Sequence, residues 1–92
     1  MQKTYVLDAN VLLQAPYALE SFEDNHIVLP LAVLEELDDR KGADGEAGNN
    51  ARQALRFLED LRLRGDLVKG VTLPSGGTVR LEVNHVLSLI HI

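Results

Sequence analysis

"TYVLDANVLL", residues 4–13, is the stretch on which the fold class turns. Thr4 to Leu7 are uncharged and rich in β-formers, which predicts a short strand buried on both faces. Asp8 ends it, because a carboxylate cannot continue a buried apolar layer without a partner. Asp8 or Asn10 can cap the next segment, and Val11, Leu12 and Leu13 ahead of Pro16 predict a short helix there with a proline-marked break. A second, briefer helix is expected from about Ala18 to Phe22.

The same order then repeats. His26 to Leu29, "HIVL", form another apolar run, and Pro30 stands where proline is tolerated, at the first turn of a helix. Leu31, Val33, Leu34 and Leu37 share one side of that helix. Strand, helix, strand, helix in this order favours a right-handed crossover and a parallel pair, and so an α/β fold. Residues 38–50, "DDRKGADGEAGNN", contain three glycines and no large apolar residue, the composition of a mobile loop whose Asn49 or Asn50 caps the next helix. That helix is predicted over about 51–64, with Ala51, Ala54, Leu55, Leu58 and Leu61 at helical spacing and Gly65 at its stop. From Leu67 to Leu73 and Thr78 to Val83 the period becomes two on either side of "PSGG", which predicts a C-terminal β-hairpin.

Composition bounds the function. The chain has 92 residues, no cysteine and a net charge of −5, which suits one small soluble domain with a marginal core. The absence of cysteine removes disulfides and thiolate metal sites together, so a metal here would sit on oxygen or imidazole. Net acidity argues against a strong nonspecific grip on nucleic acid, while leaving room for a local basic face. Nothing resembles a signal peptide or a membrane span, so a cytoplasmic protein with no membrane partner is expected. Residues 86–92, "VLSLIHI", abandon the alternation and offer no cap, charge or turn to close a domain. We therefore expect the chain to be a fragment, or its last residues not to be natural coding sequence.

Asp8 stands at the carboxyl end of the first predicted parallel strand, where open α/β sheets place their ligands. Two roles are open to it on residue pattern alone: a site acid, or a helix cap through an Asx turn. Glu35, Glu36, Asp38 and Asp39 crowd the second helix and its end, a run that usually marks a solvated face. Both Glu35 and Glu36 fall well off the centre of the apolar stripe, so periodicity does not choose between them. What raises the run above a solvated face is its pairing with Asp8. A helix after the second strand can lay a carboxylate across the strand ends, and two or more carboxylates there suit Mg²⁺ or Mn²⁺. The glycine-rich loop lacks the ordered acids of an EF-hand, and "PSGGTVR" lacks the lysine of a phosphate-binding loop. "YVLDANVL" has the outline of the haloacid-dehalogenase phosphatase motif, but Asn10 replaces its second acid and Leu12 its threonine. His26, His85 and His91 show no ligand spacing.

With these residues in place, the sequence resembles the PIN domain that precedes the ATPase domain in PhoH-like proteins. Four segments carry the resemblance: "YVLDANVLL", "VLPLAVLEELDDRK", "GNNARQALRFLEDLR" and "LPSGGTVRLEVNH". It implies a PIN-like α/β fold with a parallel sheet and flanking helices, of which residues 1–92 are the N-terminal part. It also implies a cluster of acids that binds Mg²⁺ or Mn²⁺, activates water and hydrolyses RNA. Carried over, the family's first acid falls on Asp8 and its second on Glu36. Asn10 matches the asparagine that braces the first acid without itself touching the metal. Arg52 and Arg56 are candidates for the RNA backbone, with pairing to Glu59 and Asp60 on an exposed helix face as the structural alternative.

Two departures limit what the resemblance implies. Ala9 stands where the family commonly has Thr or Ser, which removes a supporting hydroxyl. The family's third and fourth acids lie downstream of the hairpin, and so does the ATPase domain through which ATP would enter. Weak metal binding and little nuclease activity are therefore expected of these residues alone, and a homo-oligomer would form through the parent protein. The alternatives are a non-catalytic module that binds RNA or a partner for the attached ATPase, a free-standing PIN toxin, and last a phosphatase.

Overall fold

A computed structural model describes residues 3–21 and 24–83. The first predicted strand is β1, Thr4–Val6, but it is not buried on both faces as expected: Thr4 is exposed and Tyr5 half-buried, and burial begins only at Val6 and Leu7. Two short helices come next, α1 at Ala9–Gln14 and α2 at Ala18–Ser21. Strand β2, His26–Pro30, is buried from Ile27 onward, and α3, Leu31–Arg40, starts directly after Pro30. Helix α4 runs Gly45–Arg64, and strands β3, Val71–Thr72, and β4, Thr78–Glu82, close the described chain.

The sheet order is β1-β2-β4-β3, with β1, β2 and β4 parallel and β3 antiparallel to β4. The expected hairpin is therefore real, but it is built into the sheet through β4 alongside β2. Register places Tyr5, Ile27, Val79 and Val71 in one row across the strands. Ile27 and Val79 are fully buried there, against a core that includes Leu12, Leu19, Leu37, Ala51, Ala54 and Leu61. The next row, on the other face by the period-two rule, is polar: Thr4, His26, Thr78 and Thr72. Within it His26 Nδ1 and Thr78 Oγ1 share a hydrogen bond of 2.8 Å.

The structure corrects the expectation of a loop at 38–50. Helix α3 runs on to Arg40 and α4 begins at Gly45, so only Lys41 to Asp44 connect them. Two of the three glycines that read as loop punctuation have particular roles, one in packing and one in the turn. Gly48 lies so close to the connection that a Cβ there would fall 1.9 Å from the Ala43 carbonyl oxygen. Gly45 turns the chain into α4 with φ +84°, a conformation other residues rarely adopt. Asn49 and Asn50 consequently do not cap α4; Asp44 precedes it, without a side-chain capping bond. Residues 67–69 are a second correction, a turn rather than strand, in which the Val68 amide donates to Asp66 Oδ1 at 2.9 Å. The expected tail, 86–92, lies outside the described residues, as does Phe22.

Candidate active site

Asp8 sits where strand β1 hands over to helix α1. Its backbone is extended, with ψ 154°, and its carbonyl accepts from the Val11 amide at 3.1 Å, as at an N-cap. Its carboxylate makes no capping bond. The polar contact it does make is a long one, from Asn10 Nδ2 to Asp8 Oδ2 at 3.4 Å. Asp8 is half-buried, so this acid is held at the carboxyl end of a parallel strand by backbone geometry while its carboxylate carries only that long bond.

Glu36 lies midway along α3 and is half-buried, whereas Glu35 is exposed. Glu35 lines a groove between α3 and α4 with Leu34, Asp38 and Leu55. At about 100° per residue, Glu36 projects from α3 roughly opposite that flank. Helices α1 and α3 pack against one another, so the helix that follows Asp8 lies against the helix that carries Glu36. No bond joins the two carboxylates. Glu36 instead meets Arg40 at 3.6 Å, one turn on, with both side chains about half exposed, a pair that constrains the acid little.

Among the described residues, no group of three or more histidines and acids is gathered as a metal site. Asp8 and Glu36 are both oxygen donors, and such donors suit a hard divalent cation and not a soft one. Asp8 and Glu36 would be its ligands from this part of the chain. His26, at the start of β2 and bonded to Thr78, belongs to the other end of the sheet.

The arginines separate. Glu59 is held by Arg62 through two hydrogen bonds, which lower the Glu59 carboxyl and raise the Arg62 guanidinium from their ordinary values. Arg52 does not pair with an acid among the described residues. Its Nη1 donates to the carbonyls of Lys41 at 2.6 Å and Ala43 at 3.5 Å. Arg56 is exposed and has no ion pair among the described residues. Sequence reasoning missed Asn50, assigned to a cap but buried inside α4, where its Nδ2 donates to the Leu13 carbonyl at 2.7 Å. A signal was present: Gly48, Ala51 and Ala54 mark a small-residue face, and an asparagine between them can reach a neighbouring backbone.

The geometry is that of an α/β domain with one acid at the end of its first parallel strand and a second on the helix after the next strand. The PIN domain family model matches residues 5–87, and the chain belongs to that family. It is 51% identical over 85 residues to protein PhoH2 of Bacillus subtilis, a match covering 92% of this chain and 19% of that protein. Protein PhoH2 of Thermobispora bispora is 44% identical over 84 residues, and that of Mycolicibacterium smegmatis 44% over 85, each covering 90% of this chain and 19% of the relative. The chain thus spans 19% of the length of the curated relatives it matches. No solved structure matches it.

Proposed function

We propose that this chain supplies the first two acids, Asp8 and Glu36, of a Mg²⁺- or Mn²⁺-dependent ribonuclease site in a longer PhoH-like protein. The observation that carries the proposal is the Asp8 carboxylate: it stands at an N-cap position and makes no cap. The capping role was the competing explanation for an acid at this point, and capping needs that bond. Asn10 restrains Asp8 from behind, and Glu36 approaches from α3. A bound divalent ion would polarise water and neutralise charge on the phosphodiester. The protein's own part is to hold two carboxylates at fixed positions and present Arg56 toward the RNA backbone, while Arg52 braces the α3–α4 connection. No span-length apolar helix occurs among the described residues, and a cytoplasmic location accords with an RNA substrate.

The test is Mn²⁺ titration by calorimetry on the full-length parent protein, wild type against Asp8→Asn and Glu36→Gln, with cleavage of single-stranded RNA monitored in parallel. Binding that falls at least tenfold in each variant, with cleavage lost, is the expected result. Mn²⁺ binding indifferent to both substitutions would make Asp8 and Glu36 surface acids and leave a non-catalytic module for RNA or a partner.

A further inference from the structure

Helix α4 grips both the helix that follows Asp8 and the end of the helix that carries Glu36, and it does so through its first three turns. Toward α3, Gly48 lies against the Ala43 carbonyl, and Arg52 donates to Lys41 and Ala43 just past the helix end. Toward α1, Asn50 donates to the Leu13 carbonyl at 2.7 Å. Asn50 is 7% exposed and is the one buried polar side chain among the described residues. A leucine or alanine would suit a helix interior better, since asparagine lowers helix propensity and its amide must be desolvated.

Helix α1 explains what the bond achieves. Its six residues are too few to hold a helix direction by themselves, and Leu13 contributes one of its orphan C-terminal carbonyls. Asp8 is joined to α1 by the backbone and by the long bond from Asn10 Nδ2, 3.4 Å, so both of its ties run to the helix it precedes. The direction of α1 therefore sets where the Asp8 carboxylate points, and metal ligands tolerate little misplacement. We propose that Asn50 is a positioning residue for Asp8, acting by pinning the far end of α1 to α4. This rests on the reading of Asp8 as a metal ligand.

The experiment compares Mn²⁺ binding to the full-length parent protein, by calorimetry and by electron paramagnetic resonance of the bound ion, in wild type, Asn50→Ala, Asp8→Asn, their double mutant, and Val71→Ala. Val71 is buried in β3, at the sheet edge opposite β1, and serves as a core truncation that lowers stability without touching α1. Asn50→Ala is expected to weaken Mn²⁺ about tenfold, Val71→Ala less than about twofold, and the double mutant no more than Asp8→Asn alone. Wild-type affinity in Asn50→Ala, equal weakening by Val71→Ala, or additive losses in the double mutant would each overturn the proposal. Should Asn50→Ala not fold, Asn50→Ser, whose hydroxyl is too short to replace the bond, is judged by the same outcomes. If Asp8→Asn leaves Mn²⁺ binding unchanged, the metal reading itself fails and the role of Asn50 falls with it, a result visible before any Asn50 variant is measured.

Discussion

Asp8 and Asn50 exchange the roles that their residue types suggest. Aspartate after a strand is a common helix cap, yet the Asp8 carboxylate caps nothing; asparagine beside a helix start is another, yet Asn50 lies inside α4 holding a different helix. The consequence at Asp8 is measurable as stability. In the absence of divalent ions, Asp8→Ala is expected to change the free energy of unfolding by no more than about 0.5 kcal/mol, because no capping bond is lost and the bond from Asn10 is long and exposed. A cost of about 1 kcal/mol or more in urea titration would be the signature of a lost cap and would return Asp8 to a structural role.

Among the elements, α4 is the organiser. It packs on α1, α3 and β3, and its amino-terminal half approaches its neighbours through small residues and one buried amide. Gly48 provides a test by sign. Replacing an interior helix glycine with alanine ordinarily stabilises by up to about 1 kcal/mol. Here the added Cβ would meet backbone, the Ala43 carbonyl, which a rotamer change cannot relieve. Gly48→Ala is therefore expected to destabilise by about 1–3 kcal/mol, read from the urea midpoint. The exposed Glu59–Arg62 pair on the same helix illustrates the opposite case, two charged groups satisfied by each other in solvent and of little consequence for packing.

Across the whole molecule, one core joins α1, α2, α3 and α4 to the Ile27 and Val79 row of the sheet. Leu12 and Leu37 are fully buried in it, each on a helix that carries or adjoins a candidate ligand, so packing and site geometry share the same side chains. A domain of this size buries a modest share of its surface and has little stability in reserve. Leu12→Ala is expected to cost about 2–5 kcal/mol and to leave a sizeable unfolded population at 37 °C, measurable by circular dichroism in urea. Survival of that substitution at under about 1 kcal/mol would mean that α1 contributes little to the core.

Local periodicity made much of this architecture legible from the amino acids alone. The two apolar strands, the helix after Pro30, the later helix through Leu58 and Leu61, the alternating hairpin, and the place of Asp8 at a strand end all arise from side-chain patterns spanning a few residues. The parallel pairing of β1 with β2 came from the order of elements. Contacts between distant segments settled the rest. The place of residues 45–50 in a helix is tied to Asn50 meeting Leu13, 37 positions away, a contact that no window of sequence contains, and to Gly48 meeting Ala43 across a turn whose shape its composition does not declare. The insertion of β4 beside β2, the half-burial of Glu36 against the exposure of Glu35, and the turn of Arg52 to backbone carbonyls are likewise matters of what lies across the gap. Glycine and asparagine are ambiguous in sequence because they have little apolar surface to declare a face, and only the neighbour they approach reveals which role they fill.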